Sequence, residues 1–222
     1  MAKSILKEVA IDFVFQDSSL MDHLFLGLPL YSKTEITIRY FPLFLLTLWS
    51  VFRPDGVEWK ITPILLGHFI NWFFNGHGYQ LFYKAVGMRY SAQKAINYIL
   101  RLKQESERKG LHTMIYGSWS RGEASETSDL DIFIINVQGN LLNGLRMGFT
   151  SLKYRLLALI TPLSVDIYVI DRIDYLHWRK ETKSKERPII LNDPTGTIKG
   201  IYGERETELK KFLSDLAELY EA

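Results

Sequence analysis

The sequence predicts an α/β (α+β) fold: a small mixed β-sheet flanked by helices, with a mainly helical region in front of it. Three observations point there. Apolar runs of strand length, at 111–116, 129–137 and 164–170, alternate with stretches of helical character. Two uncharged apolar runs, 40–52 and 61–74, dominate the first half and read as helices. Between the halves, 91–109 carries the pattern of one amphipathic helix ended by Gly110. The chain therefore reads as two regions: 1–110, mainly helical and rich in aromatic residues, and 111–222, which holds the sheet.

Taken in order, 4–15 places Ile5, Leu6, Val9, Ala10 and Phe13 at helical spacing, and Gly27-Leu28-Pro29 breaks the apolar stretch that follows. The runs 40–52 and 61–74 are shorter than the ~17–20 apolar residues of a single-pass span. Buried helices of a soluble domain are the first reading. A membrane-embedded or interfacial hairpin is the alternative, with Tyr40, Trp49, Trp59 and Trp72 as interface aromatics. His68, Asn71 and Asn75 form a polar stripe on the second run. A set of satisfied core or helix-end groups is the plainer account of it. In 91–109, Ser91 can cap, Ala92, Ala95, Ile96, Ile99, Leu100 and Leu102 form the apolar side, and the charged end at Glu105–Lys109 reads as solvated.

The second region continues with strand 111–116, a turn with a short helix at 117–123 and strand 129–137. Gly139-Asn140 then breaks the chain before a long helix at 141–160. Leu145, Phe149, Leu152, Leu156 and Leu157 form its apolar side, while Lys153 and Arg155 read as solvated. Thr161-Pro162 ends it. A strand at 164–170, a short helix at 175–182, a charged loop at 183–187, an edge strand at 188–193 and a closing helix at 204–222 complete the order.

The chemistry concentrates between residues 114 and 133. Asp129 and Asp131 are two apart at a strand start, so their carboxylates share one face. Two carboxylates held together repel, and a divalent cation relieves that repulsion; all-oxygen ligands suit magnesium, which also keeps waters and substrate phosphates. Gly117 permits close backbone approach to a ligand, a helix opening at Ser118 aims free N–H groups at phosphate, and Arg121 adds a forked cation.

Gly117-Ser118, two variable residues, Arg121-Gly122, a spacer, then Ser128-Asp129-Leu130-Asp131 resembles the DNA polymerase beta-like nucleotidyltransferase superfamily. Within it, the match is to the minimal nucleotidyltransferases, with their antibiotic-modifying and antitoxin members. That family needs a third carboxylate on a later strand, and Asp166 stands in such a run. The resemblance covers the C-terminal half and implies a transferase that moves a nucleoside monophosphate from an NTP, ATP foremost, to a hydroxyl acceptor, releasing pyrophosphate. It implies Asp129, Asp131 and Asp166 as catalytic residues and as ligands of two magnesium ions, one spanning all three carboxylates and one on Asp129 and Asp131 with the triphosphate. It implies Gly117, Ser118 and Arg121 as nucleotide-binding residues, with Asp166 as a candidate general base. A second class stays open: a non-catalytic nucleotidyltransferase fold used as a binding or scaffold protein, docked on a protein partner or a membrane surface through the N-terminal half.

Composition narrows these classes. The 222 residues allow one large or two modest domains. A net charge of +2 lacks the basic excess of a nucleic-acid binder, so a small molecule or a protein side chain is favoured over RNA as acceptor. Without cysteine, no thiolate chemistry or disulfide is available. The N-terminus reads as no signal peptide, and a cytoplasmic setting is expected, with membrane association as the alternative.

Overall fold

The computed structural model describes residues 33–52, 56–75, 91–124, 128–161, 163–183, 185–203 and 206–221. The helix expected at 4–15, the break at 27–29 and His77 lie outside them. The chain divides between Gly78 and Tyr79 into two compact units.

The first unit contains α1 (Lys33–Val51) and α2 (Val57–Asn75), which pack on each other. Gly67 allows a close approach there: a Cβ in its place would stand 3.0 Å from both the Cα and Cδ1 of Leu43. Thr47 and Ser50 direct their hydroxyls back to Leu43 O (2.8 Å) and Thr47 O (2.7 Å), so neither leaves an unpaired group on the apolar helix. The expectation that both runs are buried is corrected here. Phe41, Phe44, Leu45, Leu48 and Trp49 of α1 are exposed, as are Ile61, Ile64, Leu65 and Phe69 of α2. The reason is geometric: a helix pair covers one stripe of each helix, and these sequences are apolar on more than one. His68 is exposed as well. Among the described residues, no helix is long and apolar enough to cross a membrane.

The second unit begins with α3 (Ala92–Lys109), β1 (His112–Tyr116), α4 (Ser118–Arg121) and β2 (Leu130–Ile135). It continues with α5 (Leu141–Ile160), β3 (Val165–Ile170), α6 (Ile173–Thr182), β4 (Ile189–Asn192), α7 (Thr197–Tyr202) and α8 (Leu209–Glu221). The sheet order is β3-β2-β1-β4. β1 pairs antiparallel with β2 and β4, whereas β2 and β3 are parallel and joined by the α5 crossover. Side chains alternate between the two faces of the sheet. One face, with Ile115, Leu130, Ile132, Ile134, Val165, Ile167 and Val169, meets Tyr98, Ile99, Leu102, Met147, Tyr154, Phe212 and Leu216 in a single core. The opposite face carries Tyr116, Asp131, Phe133, Asp166 and Tyr168, with Tyr175 of α6 against Phe133.

Helix α3 belongs to this unit because it packs on β4, β1 and α8, so the contact boundary lies well before residue 110. Gly110 ends it in the left-handed conformation (φ 62°), its N–H reaching Glu107 O and that of Leu111 reaching Ser106 O. Ser91 stands at the N-cap but makes no side-chain cap hydrogen bond.

Three further expectations are corrected. Glu105 is buried, not solvated, and takes Lys109 Nζ at 2.5 Å, Lys153 Nζ and the Tyr154 hydroxyl at 3.2 Å. On α5 the buried stripe is Gly144, Met147, Gly148, Ser151, Tyr154, Arg155 and Ala158, while Phe149 and Leu156 are exposed. Small residues there leave room for the sheet side chains, a factor that counting leucines does not weigh. Arg155 is buried and its guanidinium donates to the carbonyl of Ile167 in β3. Finally, α7 adds a six-residue helix that carries no readable periodicity.

Candidate active site

The site forms where β1 ends and β2 and β3 begin. Tyr116 is paired across from Asp131, and Asp131 lies directly opposite Asp166 in the parallel β2/β3 register. Parallel partners point to the same face, so these two carboxylates stand side by side. Asp129 sits one residue ahead of β2, not within it; its Oδ1 accepts from the Ser164 hydroxyl at 2.5 Å, and Leu130 N–H is bonded to Ser164 O at 2.9 Å. Asp166 Oδ2 accepts from Tyr168 Oη at 2.8 Å.

Gly117 has a structural use beside the one expected of it. Its conformation (φ 78°, ψ −148°) is nearly reserved to glycine. A Cβ there would overlap Asp131 Oδ2. The group drawn close to the Gly117 backbone is therefore the carboxylate itself. Ser118 opens the four-residue α4, and the hydroxyl of Ser120 donates to Gly117 O at 3.0 Å to brace the turn. Trp119 is a core residue: it is 3 % exposed, edge-on to Phe212, and its indole N–H reaches Ser128 O at 3.3 Å. It anchors the link between the turn and β2 and offers no surface for base stacking.

Electrostatics set Asp131 apart. The residue is half-buried, and burial first, then repulsion from Asp166 and Asp129, pushes its pKa well above the ordinary 3.8. Arg179 opposes that shift. This arginine of α6 lies 4.3 Å over the Tyr116 ring and 5.3 Å from the Phe133 ring. Its Nε and Nη2 donate to Glu186 Oε2 and Oε1 at 2.6 Å each, and its Nη1 reaches the Tyr175 hydroxyl at 2.9 Å. Arg121 donates from Nε to Glu123 Oε2 at 2.6 Å and pairs through Nη1 with Glu186 Oε1 at 3.6 Å. The Arg121 contact is what draws the Glu123 pKa down.

All six residues expected at the site thus lie around this end of the sheet. The sequence reading missed Ser164, Tyr168, Arg179 and Glu186. A tyrosine two places after Asp166 on the same strand face could have been anticipated; Glu186, inside a charged loop, gave no indication of burial.

The oxygen set formed by Asp129, Asp131, Asp166, Ser164 and Tyr168 has the donor chemistry of a hard divalent cation, and the repulsion on Asp131 is of the kind a cation removes. Among the described residues, no three acidic or histidine side chains are gathered closely enough to cage a metal as they stand. The chain matches no family model, and no curated protein or solved structure resembles it at a significant level.

Proposed function

We propose that this chain is a metal-dependent nucleotidyltransferase of the polymerase beta-like, minimal type. The observation that carries the reading is the pairing of Asp131 with Asp166 on one sheet face, with Asp131 packed on the turn that holds Ser118 and Arg121. Asp129, Asp131 and Asp166 would hold magnesium. When bound, magnesium supplies charge that stabilises both the attacking and the leaving oxygen of an in-line displacement at phosphorus. Ser118 and Arg121 hold the triphosphate of an NTP, ATP foremost. Asp166 takes the proton of the acceptor hydroxyl, whose oxygen bonds to the α-phosphorus as the bond to pyrophosphate breaks. The Tyr168 hydrogen bond fixes the carboxylate that does this. The near-balanced charge of the chain favours a small molecule or protein side chain as acceptor over RNA, in a cytoplasmic setting.

One observation favours a second reading, a non-catalytic scaffold of this fold: the exposed apolar side chains of α1 and α2 suit a protein partner or a membrane surface. Incubation with α-labelled NTPs, magnesium and extracted metabolites and proteins separates the two. Transfer predicts label on an acceptor in a magnesium-dependent manner, absent with Asp131→Asn. No label from any of the four NTPs favours the scaffold.

A further inference from the structure

Arg121 has two carboxylate partners of opposite character. Glu123 is 58 % exposed at its side chain and follows Arg121 by two residues on the open side of the turn. Glu186 is 6 % exposed and comes from the segment before β4. Exposed pairs of the first kind are screened and readily exchanged. Glu186 cannot exchange so easily. Both of its oxygens are taken by the fork of Arg179, and Arg179 is itself fixed by the Tyr175 hydroxyl and the Tyr116 ring. Breaking up a buried pair of this sort leaves an uncompensated charge behind.

We propose that Glu186 is a positioning residue, a fixed tether that holds Arg121 beside the Gly117 turn, while Glu123 is the partner that an incoming nucleotide phosphate displaces. The inference rests on the transfer reading and deepens it. The tether explains why a carboxylate stands among groups meant to bind an anion: its charge is spent on Arg179, and what remains orients the second arginine. A guanidinium held in place loses less freedom on meeting a phosphate than one ordered only at that moment. The Arg179–Glu186 pair also links the carboxylate half of the site, where Arg179 opposes the shift on Asp131, to the phosphate half.

The test is calorimetric titration of the full chain with ATP and magnesium. Glu186→Gln is expected to bind about tenfold more weakly, the scale of one charge-assisted contact. Glu123→Gln is expected to bind at least as tightly as the unaltered protein, since it removes the competitor. In an Arg121→Ala background, Glu186→Gln is expected to change affinity by less than about twofold, because the tether has nothing left to hold. A folded Glu186→Gln that binds ATP normally overturns the proposal, and so does an equal loss with and without Arg121. Should Glu186→Gln fail to fold, the Nε–H resonance of Arg121 in ligand-free Glu123→Ala, where the Glu123 contact to that N–H is gone, decides. Motion as restricted as that of Arg179 supports the tether, and free averaging overturns it. If the unaltered chain takes up no ATP, the transfer reading falls too, whereas uptake indifferent to Glu186 removes this inference alone.

Discussion

Gly117 and Asp131 depend on each other at the scale of single atoms. Replacing Gly117 with alanine forces a side chain into a backbone region nearly reserved to glycine, at a cost of about 1–3 kcal/mol. It also drives a methyl group into the Asp131 carboxylate. Gly117→Ala is expected to stay folded in circular dichroism yet lose about 100-fold or more in nucleotide transfer, since displacements near 1 Å cost that much. Asp131 makes a second prediction. Its folded pKa is raised, so the folded state binds the proton more tightly than the unfolded chain does. Stability of the metal-free protein should therefore fall as pH rises from 3.8 towards the folded pKa, and the charge then present is a liability. At neutral pH without metal, Asp131→Asn is expected to melt about 2–4 °C higher, the shift that about 1 kcal/mol gives in a domain of this size. The gain in melting temperature from added magnesium should shrink in the unaltered protein as pH is lowered, and be lost in Asp131→Asn. Calorimetric melting across pH checks both.

Among the elements, α3 and α5 are joined by a buried polar cluster. Glu105 is pushed up by burial, but hydrogen bonds from Lys109 and Lys153 outweigh that and hold its pKa down at about 2. A depressed carboxylate gives stability that is complete above its ordinary value of 4.5 and lost as pH falls through the folded value. Glu105→Gln is expected to cost about 1 kcal/mol at pH 7, since the lysines it leaves behind stay open to water, and to cost progressively less below pH 4.5 in urea titrations. This cluster was not legible in the sequence. Period and turn chemistry located the strands of the second unit and its helices other than α7 to within a few residues, because Gly110, Gly139-Asn140 and Thr161 punctuate strong apolar runs. They did not say which side of α5 faces inward. Two apolar stripes compete there, and the one with glycine, serine and alanine wins by allowing closer packing. Nor did they show that Arg155 would be buried to satisfy the carbonyl of Ile167.

For the whole molecule, the sheet brings together what the chain separates. Asp131 and Asp166 are far apart in sequence and adjacent in register, and the motif around Gly117 indicated that meeting because its spacing is local. Arg179 and Glu186 were not legible, since each is an ordinary charged residue until α6 and the segment before β4 fold over Tyr116. The first unit is a different case. Its apolar runs do form helices, but the expectation of burial failed because nothing in a run of leucines and phenylalanines says which stripe a partner helix will cover. On the proposed function, the carboxylate face of the sheet carries out nucleotide transfer. The most direct test is pyrophosphate release by the full chain given each NTP with an extract of acceptors. The expected result is release that requires magnesium and drops by at least about 1000-fold in both Asp131→Asn and Asp166→Asn, as removal of a metal-site carboxylate does. Release that persists in those variants, or that proceeds equally well in excess chelator, would contradict it.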